Sequence, residues 1–289
     1  VPDGWEWDET LFAGSAPYYA RGRLPYAAGL PRVLAEELDL DGTGRLLDVG
    51  CGPGTVILPL APMFAEAVGV DPDAGMLDEA GRRAGRAGVG NVRWVRTRAE
   101  ELPAGLGVFR VAVFAQSFHW MDQERVAGTI RDMLTPDGAF VHVSEVKETP
   151  PGGLDHPAPP FAAIRELVLR HLGPVRRAGQ GVLPHGTPGG EADVLARTGF
   201  TCAARLRVPA DEVRERTADD VVAWVYSRSD SAPHLFGERL GKFDRELRAL
   251  LDAAAEGGRF AERVPDTEVF VWRKAGAQHT SGGQGRSAR

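Results

Sequence analysis

Arg45-Leu-Leu-Asp-Val-Gly-Cys-Gly-Pro-Gly54 is the stretch that decides the architecture. Leu46, Leu47 and Val49 make a short apolar run suited to a buried strand. Gly50, Gly52 and Gly54 then recur at every second position. Glycines so spaced let a backbone turn sharply and approach a ligand with no side chain in the way. Thr55 to Ala61 can open a helix whose amide groups face the same ligand. Asp48, at the strand's exit, is placed to accept hydrogen bonds from a cationic amine. A dinucleotide site would want G-x-G-x-x-G after the strand. The spacing here is G-x-G-x-G, with Pro53 between the last two glycines. It fits a nucleoside cofactor carrying an amino acid better than one carrying a pyrophosphate. Taken alone, the loop also fits a tight turn with no ligand.

The next acidic residue extends the pattern. Glu66-Ala-Val-Gly-Val-Asp71 reads as a second buried strand ending in a carboxylate. Asp71 follows Gly54 by 17 residues, the length of one helix and one strand. A doubly wound sheet sets such a residue beside the glycine turn, where it can accept from both ribose hydroxyls. Asp71 also suits a helix N-cap, because Pro72 and the helical Met76-Leu77-Asp78-Glu79-Ala80 follow.

Asp48-Val-Gly-Cys-Gly-Pro-Gly54, Val68-Gly-Val-Asp71 and Met76-Leu77 together resemble class I S-adenosylmethionine-dependent methyltransferases. The small-molecule branch with trans-aconitate-type enzymes is the nearest resemblance, over Tyr18 to Glu145. It implies that Asp48, Gly50, Cys51, Gly52 and Gly54 hold the methionine part of S-adenosylmethionine, that Asp71 binds the ribose, that Ala99 and Glu100 lie along the adenine, and that Pro72 and Met76 are among the cofactor's other contacts. It implies that Gln116, Ser117, Phe118, His119 and Trp120 line the cofactor and substrate side. Two positions depart from the pattern. Arg98 stands where the family usually carries an acidic residue, which leaves the adenine amino group to the Ala99 backbone or to Glu100. Phe109-Arg110 replaces the usual Phe-Asp pair at the fourth strand.

Strand and helix patterns alternate through residue 145: strands over 45–49, 67–70, 92–96, 111–115 and 139–144, helices over 55–64, 73–86 and 122–134. Thr135-Pro-Asp-Gly138 reads as a turn. This rhythm predicts an α/β, Rossmann-like, seven-stranded and mostly parallel sheet with helices on both faces. After the fifth strand the pattern breaks at a Pro/Gly-rich stretch over 146–160. Helices fit 160–172, 190–198, 218–227 and 234–255, and strands fit 200–208 and 266–273. The expected organisation is an arm over 1–30, a cofactor core over 31–145 and a substrate lid over 146–198. The rest of the sheet, with a helical insertion, then occupies 199–274, and a disordered tail 275–289. The aromatic arm and the lid are expected to close over the acceptor.

Composition narrows the partners. A net charge of −6 over 289 residues gives no basic footprint for nucleic acid. Two distant cysteines make neither a disulfide framework nor a metal spacing, and Asp48, Asp71 and Glu100 suit a cofactor better than a metal. No apolar run is long enough for a membrane, and no signal-peptide pattern occurs, so a cytoplasmic monomer or homodimer is expected.

His119 is the candidate general base, since it follows the fourth strand at the sheet's carboxyl edge. It can equally pack with Trp120 against the cofactor. Tyr18 and Tyr19 are read as an aromatic cap or a substrate contact, and Arg21 and Arg23 as clamps for an anionic acceptor or as solvated arginines. Trp120, Glu145 at the exit of the fifth strand and His185 in the insertion complete the substrate candidates. His142 reads as a core histidine.

Overall fold

The computed structural model describes residues 10–146, 154–174, 177–178, 181–182 and 190–276. The strands in chain order are β1 (Arg45–Val49), β2 (Glu66–Asp71), β3 (Val92–Arg96), β4 (Phe109–Ala115), β5 (Leu134–Glu145), β6 (Phe200–Val208), β7 (Val213–Thr217), β8 (Arg259–Arg263) and β9 (Thr267–Lys274). Arg177–Ala178 and Gly181–Val182 pair as a minimal ribbon besides these. The helices are α1 (Ala16–Gly22), α2 (Leu30–Glu37), α3 (Ile57–Leu60), α4 (Ala74–Ala87), α5 (Gln123–Met133), α6 (Phe161–Leu172), α7 (Glu191–Arg197), α8 (Ala218–Tyr226) and α9 (Leu240–Ala254).

Seven strands form one sheet in the order β3-β2-β1-β4-β5-β9-β6. The first five run parallel, and β9 lies antiparallel between β5 and β6. Side chains alternate between the two faces along each strand. Leu47, Val49, Val68, Val70 and Phe114 pack under α5 and α7. Leu46, Ala67, Val111 and Val113 pack under α2, α3 and α4.

Several expectations change in detail. Thr135–Gly138 is not a turn ahead of the fifth strand. β5 already begins at Leu134, opposite Phe109, and Ala139 lies opposite Val111, so the Pro-Asp-Gly residues form an irregularity within the ladder. The helix expected over 55–64 is a single turn at Ile57–Leu60 continued by a 3-10 turn at Ala61–Met63. Pro59 and Pro62 account for that, because each lacks an amide donor. The arm contains α1, and β7 and β8 pair antiparallel where no strands were expected.

A third core lies outside the sheet. Ile164 and Leu167 of α6 pack with Val222 and Tyr226 of α8, with Phe243 and Leu247 of α9 and with Phe260 of β8. The expected lid segment is therefore divided. α6 joins this helical cap, whereas Val194 and Leu195 of α7 belong to the sheet core. Arg216, 4% exposed, ties the cap to α1: it donates to Glu262, to the Gly22 carbonyl at 2.7 Å and to the Asp220 carbonyl at 2.9 Å.

Candidate cofactor and acceptor site

The strand order reverses between β1 and β4, and the chain leaves both at their carboxyl ends. Open α/β sheets take ligands in such a crevice. The turn after β1 is pinned to β2, because the Gly50 and Cys51 amides both donate to the Val70 carbonyl, at 2.9 and 3.0 Å. The turn after β4 is pinned to β1, because the Ser117 hydroxyl donates to the Val49 carbonyl at 2.6 Å. Gln116 sits between them with a φ of 53°, a left-handed conformation that costs a non-glycine residue free energy.

Gly50, Gly52 and Gly54 have φ values of 69°, 51° and 77°. Their surroundings differ. A Cβ on Gly50 would lie 2.7 Å from the Ser117 Cβ, and one on Gly54 would lie 3.1 Å from the Trp94 ring. A Cβ on Gly52 would meet nothing within 4 Å. Neighbouring side chains thus demand glycine at positions 50 and 54, while position 52 faces open space.

Asp48 lies above this turn and is 1% exposed. Neither of its oxygens receives a hydrogen bond from the described residues. Burial, reinforced by the charge of Asp71, pushes its carboxyl up to about 8, against the pull of the Ile57 amide, which lies nearby but outside hydrogen-bond geometry. A buried carboxylate without donors is costly. A ligand ammonium would supply both the opposite charge and the donors. Asp71 is already engaged: Oδ2 accepts from the Gly52 amide at 2.8 Å and Oδ1 from the Asp73 amide at 2.9 Å. Burial raises its carboxyl to about 6 against the pull of those two amides. Each oxygen keeps a lone pair for a hydroxyl donor. The α4 N-cap is Asp73, which accepts from the Met76 amide at 2.9 Å, so the capping alternative for Asp71 does not hold.

A cleft of about 820 Å³ runs from the glycine turn past Asp71, Pro72 and Met76 to Arg98, Ala99 and Glu100. Tyr19, Gln116, Ser117 and Trp120 also line it. A second cleft of about 1180 Å³ shares Tyr19, Gly50, Gly52, Gln116 and Trp120 with the first. It reaches Asp48, Cys51, Arg23, His119 and Glu145.

A family model described as a methyltransferase domain matches residues 46–138, the stretch that builds both turns. The nocamycin O-methyltransferase of Saccharothrix syringae is 30% identical over 207 residues, covering 63% of this chain and 68% of that protein.

The chain belongs to the class I S-adenosylmethionine-dependent methyltransferases.

Its cofactor is S-adenosylmethionine. YcgJ of Bacillus subtilis, an uncharacterized methyltransferase, is 29% identical over 171 residues. That match covers 58% of this methyltransferase chain but only 62% of YcgJ. The match to CRG1 of Saccharomyces cerevisiae, a probable S-adenosylmethionine-dependent methyltransferase, covers 33% of each chain at 28% identity. The chain thus spans less than two thirds of these two relatives. The crystal structure of the [4+2]-cyclase SpnF shares the fold, with a TM-score of 0.53 and 17% identity over 92% of this chain and 95% of that one.

Four residues of this methyltransferase expected in the site lie away from both clefts, and the contacts of each give the reason. Phe118 is fully buried between Phe114 and Phe140, with ring centroids at 5.2 Å to each. Gly54 packs on Trp94 and Leu58. The Tyr18 ring lies 5.1 Å from Tyr226 in the cap core. The Arg21 Nε donates to Asp220 at 2.6 Å on the surface. His185 lies outside the described residues. His142 is held in the sheet with its ring 6.2 Å from Phe270, and burial lowers its pKa.

The second cleft carries its own charges. Glu145 has surface open to the cleft, yet protein crowds around it, and that burial raises its carboxyl while Arg23 pulls the other way. Arg23 donates to the Ser227 hydroxyl at 2.9 Å and to its carbonyl at 3.1 Å. Its guanidinium lies 5.2 Å from the centre of the Tyr19 ring. The His119 and Trp120 rings lie 4.5 Å apart. Sequence reasoning missed Tyr26, Thr97, Met121 and Arg228 as lining residues. Thr97 and Met121 adjoin segments already expected there, whereas no motif marks Tyr26 or Arg228, which tertiary packing brings to the second cleft.

Proposed function

We propose that this protein transfers a methyl group from S-adenosylmethionine to a small organic molecule, acting in the cytoplasm as a monomer or homodimer. The observation that carries the reading is the buried, donor-less Asp48 carboxylate at the mouth of the glycine turn, beside a cleft that continues beyond it. The nocamycin O-methyltransferase relationship supports a natural-product acceptor. The net charge of −6 argues against a nucleic-acid acceptor.

When bound, the cofactor supplies an electrophilic methyl group on a sulfonium. The chain's residues bind, orient and exclude water. Asp48 accepts the ammonium hydrogens, and Asp71 takes the ribose hydroxyls with its spare lone pairs. Pro72, Met76, Ala99 and Glu100 bound the remainder of the cofactor cleft, with Gln116 and Ser117 on its far wall. Tyr19, Arg23 and Trp120 confine the acceptor. Fixing the reactants in this way supplies about 7–11 kcal/mol of the barrier reduction. His119 or Glu145 accepts the acceptor's proton, worth about 10²–10⁴-fold where one must leave.

The test is turnover. The protein is incubated with S-adenosylmethionine and a panel of hydroxyl, amine and carbon-acid acceptors, and S-adenosylhomocysteine is followed by mass spectrometry. Acceptor-dependent product supports the reading. Tight cofactor binding without turnover on any acceptor would instead make the protein a non-catalytic binding module. Binding of a nicotinamide cofactor in place of S-adenosylmethionine would overturn both.

A further inference from the structure

A groove of about 780 Å³ lies beside the two clefts, between the end of α1, β7 and the far side of the glycine turn. Tyr19, Arg23, Leu24 and Thr55 line both this groove and the second cleft, so the two are continuous. Five arginines line it among the described residues, and three of them already have a counter-ion. Arg21 pairs with Asp220, Arg214 with Glu212 and Arg216 with Glu262. The acids that line the groove are engaged in the same way, Asp220 by Arg21 and Glu215 by Arg259.

Arg23 and Arg83 are different. Neither has a carboxylate oxygen within 4.0 Å among the described residues. Glu79, one turn ahead of Arg83 on α4, is held by Arg82 and Arg86, each at 2.9 Å. Arg83 Nη1 donates instead to the Pro53 carbonyl at 2.8 Å and to the Thr55 hydroxyl at 3.2 Å. Those neutral oxygens fix the guanidinium in place without balancing its charge, and burial lowers its pKa. Arg23 uses Nε and Nη2 on Ser227. Nε and Nη2 of Arg83 and Nη1 of Arg23 thus keep free hydrogens, and none of the three is enclosed by protein. The Thr55 hydroxyl accepts from Arg83 and still has its own hydrogen to donate.

Two half-buried cations without counter-ions on one groove are costly, and an anionic ligand is their natural complement. Guanidinium forks match carboxylate and phosphate oxygens. A single carboxylate would balance one of the two charges. A phosphate monoester, or two neighbouring carboxylates, balances both.

We propose that this groove is an anion subsite for the acceptor: the molecule to be methylated lies in the second cleft and carries a dianionic group, a phosphate monoester or a pair of carboxylates, that reaches between Tyr19 and Thr55 onto Arg23 and Arg83. The inference rests on the methyltransferase reading for the role of the bound molecule, while the anion site stands on the groove itself.

Calorimetry on the full chain saturated with S-adenosyl-L-homocysteine tests this. Phenyl phosphate and phthalate serve as dianionic probes and benzoate as the monoanionic one, above the second phosphate pKa. At least one dianion is expected to bind alongside S-adenosylhomocysteine and more tightly than benzoate, and the preferred dianion assigns the group. Arg83→Gln should weaken that dianion by about tenfold or more with the affinity for S-adenosylhomocysteine kept, and Arg83→Lys should retain part of it. Should Arg83→Gln fail to fold, Thr55→Glu carries the test, because its carboxylate would take the ligand's place on Arg83 and exclude both dianions. Competition between the dianion and S-adenosylhomocysteine would put the anion on the cofactor's own carboxylate and overturn the inference. So would dianions that bind no more tightly than benzoate, or equally to the wild-type protein and the variants, as an adventitious ion only. Binding of a dianion without any binding of S-adenosylhomocysteine would overturn the cofactor reading and uphold the anion site.

Discussion

Gly22 of α1 lies directly against the backbone of Ala223 in α8. A methyl group built on Gly22 would overlap the Ala223 carbonyl and the Trp224 amide. The arm and the cap therefore meet backbone to backbone, next to Tyr19 and Arg23. Gly22→Ala should force α1 away from α8. The expected cost is about 1–3 kcal/mol of stability, the range for overpacking. A thermal melt reads the loss, and an unchanged melting temperature would show that the two helices separate freely.

Asp48 couples binding to protons. Its folded carboxyl is pushed up to about 8 from an ordinary 3.8. Between those values the unfolded chain has lost its proton while the folded, ligand-free protein keeps it. Folding then takes up a proton, so the contribution of Asp48 to stability falls as pH rises through that window. A bound ammonium favours the ionised form, so binding near pH 7 should release a proton from Asp48. Calorimetry of S-adenosylhomocysteine binding in buffers of different ionisation heat measures that proton. Asp48→Asn should abolish the release and flatten the stability profile of the ligand-free protein. A release unaltered in Asp48→Asn would assign the proton to another group.

The glycines of the turn should fail in different ways. Gly50→Ala drives a methyl into Ser117, so it should lower the melting temperature as well as binding. Gly52→Ala meets no protein atom but projects into the cleft. It should keep most of its stability, less the strain of about 1–2 kcal/mol for a left-handed alanine, and lose cofactor affinity. Equal melting and binding losses in the two variants would contradict the distinction.

Glu145→Gln keeps the size and removes the charge. If Glu145 takes the acceptor's proton, kcat should drop about 10²-fold or more with cofactor affinity unchanged. Steady-state turnover gives kcat, single-turnover kinetics the chemical step within it, and calorimetry the affinity. A normal kcat would leave the proton to His119 or to solvent.

The glycine turn, Asp48 and Asp71 were legible because local backbone chemistry dictates them. Glycine spacing, strand exits and a short helix leave few other arrangements. The different demands on Gly50 and Gly52 were not legible, because they depend on Ser117, which approaches from the turn after β4, 67 residues further along the chain than Gly50. Phe118 looked like a cleft residue beside His119, yet on the short 3-10 turn Phe118–Trp120 the Phe side chain points into the sheet core. β7, Val-Arg-Glu-Arg-Thr, has too little apolar alternation to announce a strand. Its pairing with β8 and the burial of Arg216 supply what the pattern lacked. Tyr18 and Arg21 are adjacent to lining residues in sequence, but α1 turns them toward the cap core and the surface.

The third core is assembled from stretches that interrupt the strand series on either side of β6, closed by the amino-terminal helix. Asp48, the glycine turn and Asp71 come from the exits of β1 and β2. Selection can therefore act on the two almost separately. Gene duplication followed by drift within the cap segments would yield sister chains with a recast cap over the same turn, with no compensating change required in the strands beneath.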